Sequence, residues 1–222
     1  GYFQKESGFI KRLIFFMRYM KQYRVVSAML LSILLAACTT PSGKVSKGWD
    51  IQSSFIFDSA GFKNCHASTI EETPNGLVAA WFGGTEEKNP DVEIYLSKFI
   101  DGKWTAPVTV ANGIQNDTLR YPCWNPVLFQ VPSGPLMLYY KVGRDPVDWW
   151  GEYKISNDNG NTWSAAVRLP DGILGPVKNK PVLLSDGRLL SASSTEHPTD
   201  GRWQGHLEVS ADSGKTFMKT AP

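Results

Sequence analysis

The sequence predicts an all-β protein of the β-propeller class, and three observations support that prediction. A turn motif, Ser-x-Asp-x-Gly-x-Thr-aromatic, occurs at residues 156–163 and again at residues 210–217, about 54 residues later. The stretches between the turns alternate apolar and polar residues with a period of two, as strands do. A repeat of this length is too long for helical or leucine-rich repeats and suits four-stranded propeller blades. A β-sandwich in which the turn recurs by chance is the alternative.

The composition of the turn motif explains why it should form a hairpin. The Asp side chain accepts hydrogen bonds from backbone N–H groups ahead of it, and Gly supplies a positive φ. The Thr and the aromatic residue then begin an outgoing strand. A weaker copy, Asp101-Gly102-Lys103-Trp104, keeps the turn and the aromatic residue but lacks the Thr. It predicts an earlier repeat with its turn at this position.

The predicted strands flank these turns. Tyr153 and Ile155 alternate with charged residues before the first motif, and Leu207 and Val209 do so before the second. Further strands are predicted at 77–82, 127–130, 136–141 and 182–184.

The N-terminal region reads as an export signal. Basic residues at 18, 21 and 24 precede an apolar run over residues 25–35 and two alanines, which are the parts of a secretory signal. The run is short for a membrane span. Cys38 follows Leu-Ala-Ala, a sequence that resembles the bacterial lipobox, in which the cysteine is lipidated. An ordinary cleaved signal is the alternative.

These features divide the chain into three parts. Residues 1–37 are upstream residues and a lipoprotein signal peptide, residues 38–50 are a tether, and residues 51–222 are a partial propeller. We therefore expect a protein of the bacterial cell envelope, attached to the membrane through a lipid on Cys38.

Charge and spacing argue against several other classes of function. The formal net charge of +2 includes the basic N-terminal segment, so it gives no case for a nucleic-acid partner. Histidines are scattered at 66, 197 and 206, and neither a Cys-x-x-Cys pair nor a glycine-rich phosphate loop occurs. We expect no metal and no cofactor. Cys65 and Cys123 either pair or remain free thiols.

The turn motif matches the Asp-box of sialidases, and the chain from roughly Cys65 to Phe217 resembles the sialidase-like family with BNR repeats. Three further stretches carry the resemblance: residues 66–70 with 75–81, residues 120–126, and residues 178–182 with 185–190. The resemblance implies a six-bladed propeller, of which about three blades fit this chain. We therefore expect the chain to be a fragment of a longer protein.

The resemblance also implies a site in which three arginines hold the sugar carboxylate, an Asp is the acid/base, and a Tyr assisted by a Glu is the nucleophile. This sequence departs from that pattern. His66 stands where the first arginine is expected, Lys178 where a Glu is expected, and Ser194 at the second arginine. The sugar is therefore left open.

Carboxylates in two places are candidates for catalysis. The loop over residues 83–91 lies where the family carries its acid/base, and Asp91 is the first candidate, followed by Glu86 and Glu87. A raised pKa would let one of them protonate a leaving oxygen. Glu196 is the other carboxylate, and His66 can bond a sugar hydroxyl or transfer a proton. The alternatives are a solvated loop and a structural histidine.

Cations and aromatic residues are candidates for ligand binding. Lys178 and Lys180 would project to one face of a strand, toward an anionic ligand or an internal partner such as Glu196. Flat aromatic faces stack on sugars, and cations orient acidic sugars. The remaining candidates are Arg120, Tyr121, Lys141, Arg144, Trp149 and Trp150.

The function predicted is an exo-acting, sialidase-like glycoside hydrolase that acts on terminal sugars of glycans through acid/base carboxylates. A surface glycan-binding lipoprotein without catalysis is the alternative. A polysaccharide lyase, in which His66 and a Tyr would move the protons, is a third reading.

Overall fold

Three antiparallel β-sheets follow one another along the chain in the computed structural model, which describes residues 53–197 and 199–220. From residue 54 onward the described residues form one compact unit. No helix in these ranges is long and apolar enough to cross a membrane. The all-β prediction is confirmed over the described residues.

Each sheet is built in chain order, with every strand antiparallel to its neighbour. The first sheet contains β1 (Asn64–Thr73), β2 (Gly76–Gly84), β3 (Glu93–Ile100) and β4 (Lys103–Trp104), and β5 (Val108–Ala111) also pairs with β3. The second contains β6 (Cys123–Gln130), β7 (Leu136–Val142), β8 (Trp150–Ser156) and β9 (Val167–Arg168). The third contains β10 (Val182–Leu183), β11 (Leu189–Glu196), β12 (Trp203–Ser210) and β13 (Met218–Lys219).

The first strands of the sheets lie next to one another. In β1, the Thr69 hydroxyl accepts a hydrogen bond from the Leu128 amide of β6 (3.3 Å). Lys180, just before β10, donates to the Leu128 carbonyl oxygen and forms an ion pair with Glu71 of β1. The three sheets thus meet along their first strands and extend outward strand by strand, which is the arrangement of propeller blades.

The first Asp-box forms the hairpin between the third and fourth strands of the second sheet. The Ser156 hydroxyl accepts from the Gly160 amide (2.7 Å) and donates to Asp158 (2.8 Å). Asp158 in turn accepts from the amide and the hydroxyl of Thr162 (2.8 and 2.6 Å). These bonds hold the pKa of Asp158 down at about 2. Gly160 has a φ of 84°, as the motif predicts.

The second Asp-box repeats this geometry in the third sheet. The Ser210 hydroxyl accepts from the Gly214 amide (2.8 Å), and Asp212 accepts from the Thr216 amide and hydroxyl (2.9 and 2.7 Å). The weaker copy at Asp101 is the turn between β3 and β4 of the first sheet. All three predicted turns therefore occupy the same place in their blades.

The core lies between the sheets, and β7 is buried along its whole length. Its even-numbered residues, such as Leu138, pack toward the first sheet, where Leu96 and Ile94 are buried. Its odd-numbered residues, such as Tyr139, pack with Phe217 of the second Asp-box. The strand predicted over residues 136–141 thus packs one face into each of two apolar clusters, which join three blades.

The blades have two distinct ends. At the box end lie the Asp-boxes, residues 156–163 and 210–217. At the opposite end, called here the site end, β2, β7 and β11 finish at Gly84, Val142 and Glu196. Residues 146–150 and 194–196 line one cleft there, so the second and third sheets share this end.

Candidate active site

The first strands of two blades contain a bulge near the site end. The register of β1 shifts between His66 and Thr69, and that of β6 shifts between Trp124 and Val127. Within each bulge one residue other than glycine has a positive φ, Ala67 at 56° in β1 and Asn125 at 40° in β6. Bulges and such backbone conformations are enriched next to functional sites because they re-aim side chains.

The His66 bulge opens onto a cavity that contains three of the predicted catalytic residues. His66, Glu86 and Glu87 line a cavity of about 400 Å³ together with Phe82. His66 Nδ1 lies 3.7 Å from a Glu87 oxygen, and the two side chains are 71% and 50% exposed. Both groups are therefore open to a ligand and close enough to exchange a proton through a small adjustment or one water.

Asp91 lies in the same loop, at the entry to β3, but its carboxylate is engaged. It accepts hydrogen bonds from the Thr85 amide (2.9 Å) and the Thr85 hydroxyl. The Thr85 hydroxyl bond is the main reason that the pKa of Asp91 is lowered. The raised pKa expected of a proton donor is therefore not found at this residue, although its second oxygen is buried without a hydrogen-bond partner.

Arg120 is paired with Glu93, a carboxylate that is not among the predicted site residues. Its guanidinium lies 2.7 Å from Glu93 at the start of β3 and also donates to the Asp91 carbonyl oxygen (3.2 Å). Glu93 also accepts from the Thr109 hydroxyl (2.8 Å). Arg120 therefore ties the loop to the sheet, and its positive charge is already balanced.

A second cleft of about 400 Å³ lies between the second and third blades. Glu196 and Ser194, at the end of β11, form one wall, and Trp149 and Trp150 form another. This arrangement brings the predicted Glu196 together with the predicted tryptophan pair. Ser194, at the position where the resemblance implies an arginine, lines the same cleft.

The two tryptophans have different surroundings. Trp150 donates from its ring nitrogen to Glu152 (2.8 Å), and the Arg168 guanidinium lies 4.5 Å above its ring. Its edge meets Tyr121, with ring centroids 5.6 Å apart, so Tyr121 supports Trp150. Trp149 packs edge-on to Trp124 at 6.0 Å. Trp149 is therefore the better placed of the pair to stack on a sugar.

Lys141 does not reach the surface, contrary to the prediction that it orients a ligand. It is fully buried, and its ammonium group donates to the Pro176 carbonyl oxygen (2.8 Å). Burial lowers its pKa to about 7, opposed by the nearby Glu208. Glu208, also fully buried, accepts from the amides of Leu174 and Gly175 (3.0 and 2.6 Å). The two residues clamp the loop that forms a wall of the second cleft.

The two lysines expected on one strand face are placed differently. Residues 177–179 form a bend, and β10 begins only at Val182. Lys180 pairs with Glu71, not with Glu196, and burial lowers its pKa to about 8. Both lysines are exposed, but only Lys180 joins blades.

The two cysteines of the described part of the chain have different surroundings. Cys65 is exposed and Cys123 is buried, and both are free thiols. Burial raises the pKa of Cys123 well above its usual range. Cys38 and the predicted signal and tether lie outside the described residues. Within residues 53–197 and 199–220, no cluster of His, Cys, Asp and Glu suits a metal ion.

Comparison with known proteins supports the fold. Residues 75–222 match the BNR repeat-like domain. No curated protein matches the chain.

Solved structures show the same fold at low sequence identity. A protein of unknown function from Dyadobacter fermentans is 18% identical with a TM-score of 0.58, over 71% of this chain and 54% of that one. A Hadza microbial sialidase is 16% identical with a TM-score of 0.59, over 71% and 37%. A family 117 glycoside hydrolase from Zobellia galactanivorans is 12% identical with a TM-score of 0.55, over 71% and 55%. The chain thus matches roughly half, or less, of the length of each.

Proposed function

Because the chain belongs to the BNR repeat-like, sialidase-like family, we propose that the protein is an exo-acting glycoside hydrolase that removes terminal sugars from glycans. The observation that carries the proposal is the cavity at the site end where His66, Glu86 and Glu87 meet. It lies beside a strand bulge and holds exposed groups able to donate and accept protons.

Glycoside hydrolysis needs one group that protonates the leaving oxygen and a second that activates water or attacks the sugar. Glu87 is the primary acid/base candidate, because His66 lies 3.7 Å from it and can relay a proton. Asp91, ionised by its Thr85 bonds, suits a base or an electrostatic role better than an acid. Glu196 supplies a further carboxylate in the neighbouring cleft.

The test is turnover of a panel of fluorogenic aryl glycosides by the full-length protein. We expect release from at least one of them, and a loss of about 10²- to 10⁴-fold in kcat/KM for Glu87→Gln. Asp91→Asn is the second variant, and it should also lose activity. Asp101→Asn, at the box end, makes the same change of charge and should leave kcat/KM unchanged. Turnover that survives both site variants would contradict the roles proposed.

A glycan-binding protein without catalysis is the second candidate, and one observation favours it. Asp91, the residue in the place of the family's acid/base, has a lowered pKa and is bonded to Thr85. Binding to a glycan array without turnover of any bound glycan would support this function and reject the hydrolase.

We also propose that the protein is held in the cell envelope by a lipid on Cys38, on the strength of the lipobox-like Leu-Ala-Ala-Cys alone. Incorporation of a clickable fatty acid into the wild type, and its loss in Cys38→Ser, is the expected result. Equal labelling of both proteins would contradict it.

A further inference from the structure

We infer that the cleft between the second and third blades accepts a terminal sugar that carries no negative charge. The biological meaning of this inference rests on the proposed function, but its support comes from the charged side chains around the cleft. Three carboxylates line the cleft, and two of them are balanced by arginines, Asp148 by Arg144 and Asp171 by Arg168. Among the described residues, Glu196 is the lining carboxylate that has no ion pair.

Arg168 is the cation that lines the cleft, and it is already engaged on both sides. It lies 3.0 Å from Asp171 and 4.5 Å above the Trp150 ring. A sugar carboxylate that approached it would have to displace Asp171 or lie beside it. Asp171 is largely exposed, so this pair is weak, but its charges still cancel at short range.

The other arginines near this end are also paired. Arg144 forms an ion pair with Asp148, and Arg120 forms one with Glu93 at 2.7 Å. Bidentate binding of a sugar carboxylate requires a free guanidinium fork. Among the residues that line the cleft, no such fork is free. Lys178 is exposed but does not line the cleft.

Glu196 faces no cation within the cleft other than Arg168, which is held by Asp171. A carboxylate accepts hydrogen bonds well from sugar hydroxyls, and Trp149 offers an aromatic ring beside it. A neutral sugar satisfies both groups. A uronic or sialic acid would instead bring a second negative charge next to Glu196, which is unfavourable at short distance.

The experiment measures equilibrium binding by NMR titration of the full-length protein with matched sugar pairs. The pairs are methyl glucoside with methyl glucuronide and methyl galactoside with methyl galacturonide, and sialic acid is a fifth probe. We expect at least one neutral glycoside to bind and its uronide to bind roughly tenfold or more weakly. Glu196→Gln should narrow this difference, whereas Asp101→Asn at the box end should not.

Salt provides a second measurement that does not depend on a variant folding. Because Glu196 and Asp171 are partly or largely exposed, raising the ionic strength should also narrow the difference between the members of a pair. Any of three results would overturn the inference. The acidic sugar could bind as tightly as its neutral partner or more tightly, or the difference in affinity could stay the same in high salt and in Glu196→Gln. The third such result is that none of the five probes binds.

These outcomes separate the inference from the proposed hydrolase. If neutral sugars bind selectively but no aryl glycoside is cleaved, the hydrolase fails and the inference stands. If acidic glycosides are cleaved and bind as tightly as their neutral partners, the hydrolase stands and the inference fails.

Discussion

The two ends of the blades use the same types of side chain for different purposes. At the box end, Asp158 and Asp212 each accept two hydrogen bonds from a Thr within the same turn. At the site end, His66 and Glu87 are exposed and 3.7 Å apart, and Glu196 faces a cleft. At the box end the Ser, Asp and Thr side chains of each Asp-box bond one another and the turn backbone, and this pattern repeats in two blades. The site end leaves polar groups open to a ligand and differs from blade to blade.

This contrast teaches where function resides in such a fold. A repeated turn stabilises every blade in the same way, so it says little about substrate. Groups that differ between blades and that lack a local partner are the ones that give a propeller its chemistry.

The largest expected effect on stability concerns the buried clamp that supports the site end from inside. Glu208→Ala leaves Lys141 buried without its neighbouring charge and removes the acceptor of two loop amides, so the free energy of unfolding should fall by about 3–5 kcal/mol. Chemical denaturation measures it. Glu208→Gln, which keeps one acceptor oxygen, is the matched control, and its free energy of unfolding should fall less than that of Glu208→Ala. A loss below about 1 kcal/mol for Glu208→Ala would show that the clamp does not hold the loop.

The next effect concerns the box end. Ser156→Ala removes a buried hydroxyl that bonds the Gly160 amide and Asp158, and it should lower the free energy of unfolding by about 1–2 kcal/mol. Ser210→Ala removes the equivalent bonds in the next blade and should cost a similar amount. Denaturation midpoints of the two variants test whether the repeated turns are energetically equivalent. A large difference between the two losses of stability would show that the two turns are not energetically equivalent.

A pH dependence should distinguish the buried lysine from the exposed groups of the site end. The pKa of Lys141 is about 7 in the folded protein and near its ordinary value of 10.5 when unfolded. Between these values the unfolded chain binds more protons, so this residue makes stability rise as pH increases from about 7 to 10.5. Lys141→Met should remove that part of the rise in denaturation curves measured across this range. An identical pH profile for wild type and variant would contradict the lowered pKa.

The smallest effect on stability is expected at His66. Because its side chain is 71% exposed, His66→Gln should change the free energy of unfolding by less than about 0.5 kcal/mol. If His66 relays protons to Glu87, the variant should still lose kcat/KM, by about tenfold or more. Parallel denaturation and turnover measurements test this. A loss of stability with unchanged turnover would make His66 a structural residue.

Local sequence patterns predicted the blades well. The turns at Asp158, Asp212 and Asp101 depend on residues close in sequence, and the structure contains all three. The outgoing strands of the two Asp-boxes begin later than predicted, because β9 starts only at Val167 and β13 at Met218. Residues 136–141, predicted as a strand, form one that is buried on both faces.

The site was predicted less completely, because its partners are distant in sequence. Arg120 meets Glu93 across 27 residues, Lys141 meets Pro176 across 35, and Lys180 meets Glu71 across 109. Sequence spacing gave no sign of these partners, so three cations that looked available for a ligand proved to be engaged. Glu208, Glu93 and Arg168 were missed for the same reason.

The most direct test of the division between the two ends is a paired measurement on Ser156→Ala and Glu87→Gln. For each, the free energy of unfolding and the kcat/KM of the folded protein on the same aryl glycoside are measured together. The account predicts that Ser156→Ala lowers stability and keeps kcat/KM, whereas Glu87→Gln keeps stability and loses at least about 10²-fold in kcat/KM. The reverse pattern, or a variant at the box end that abolishes turnover while still folded, would contradict it.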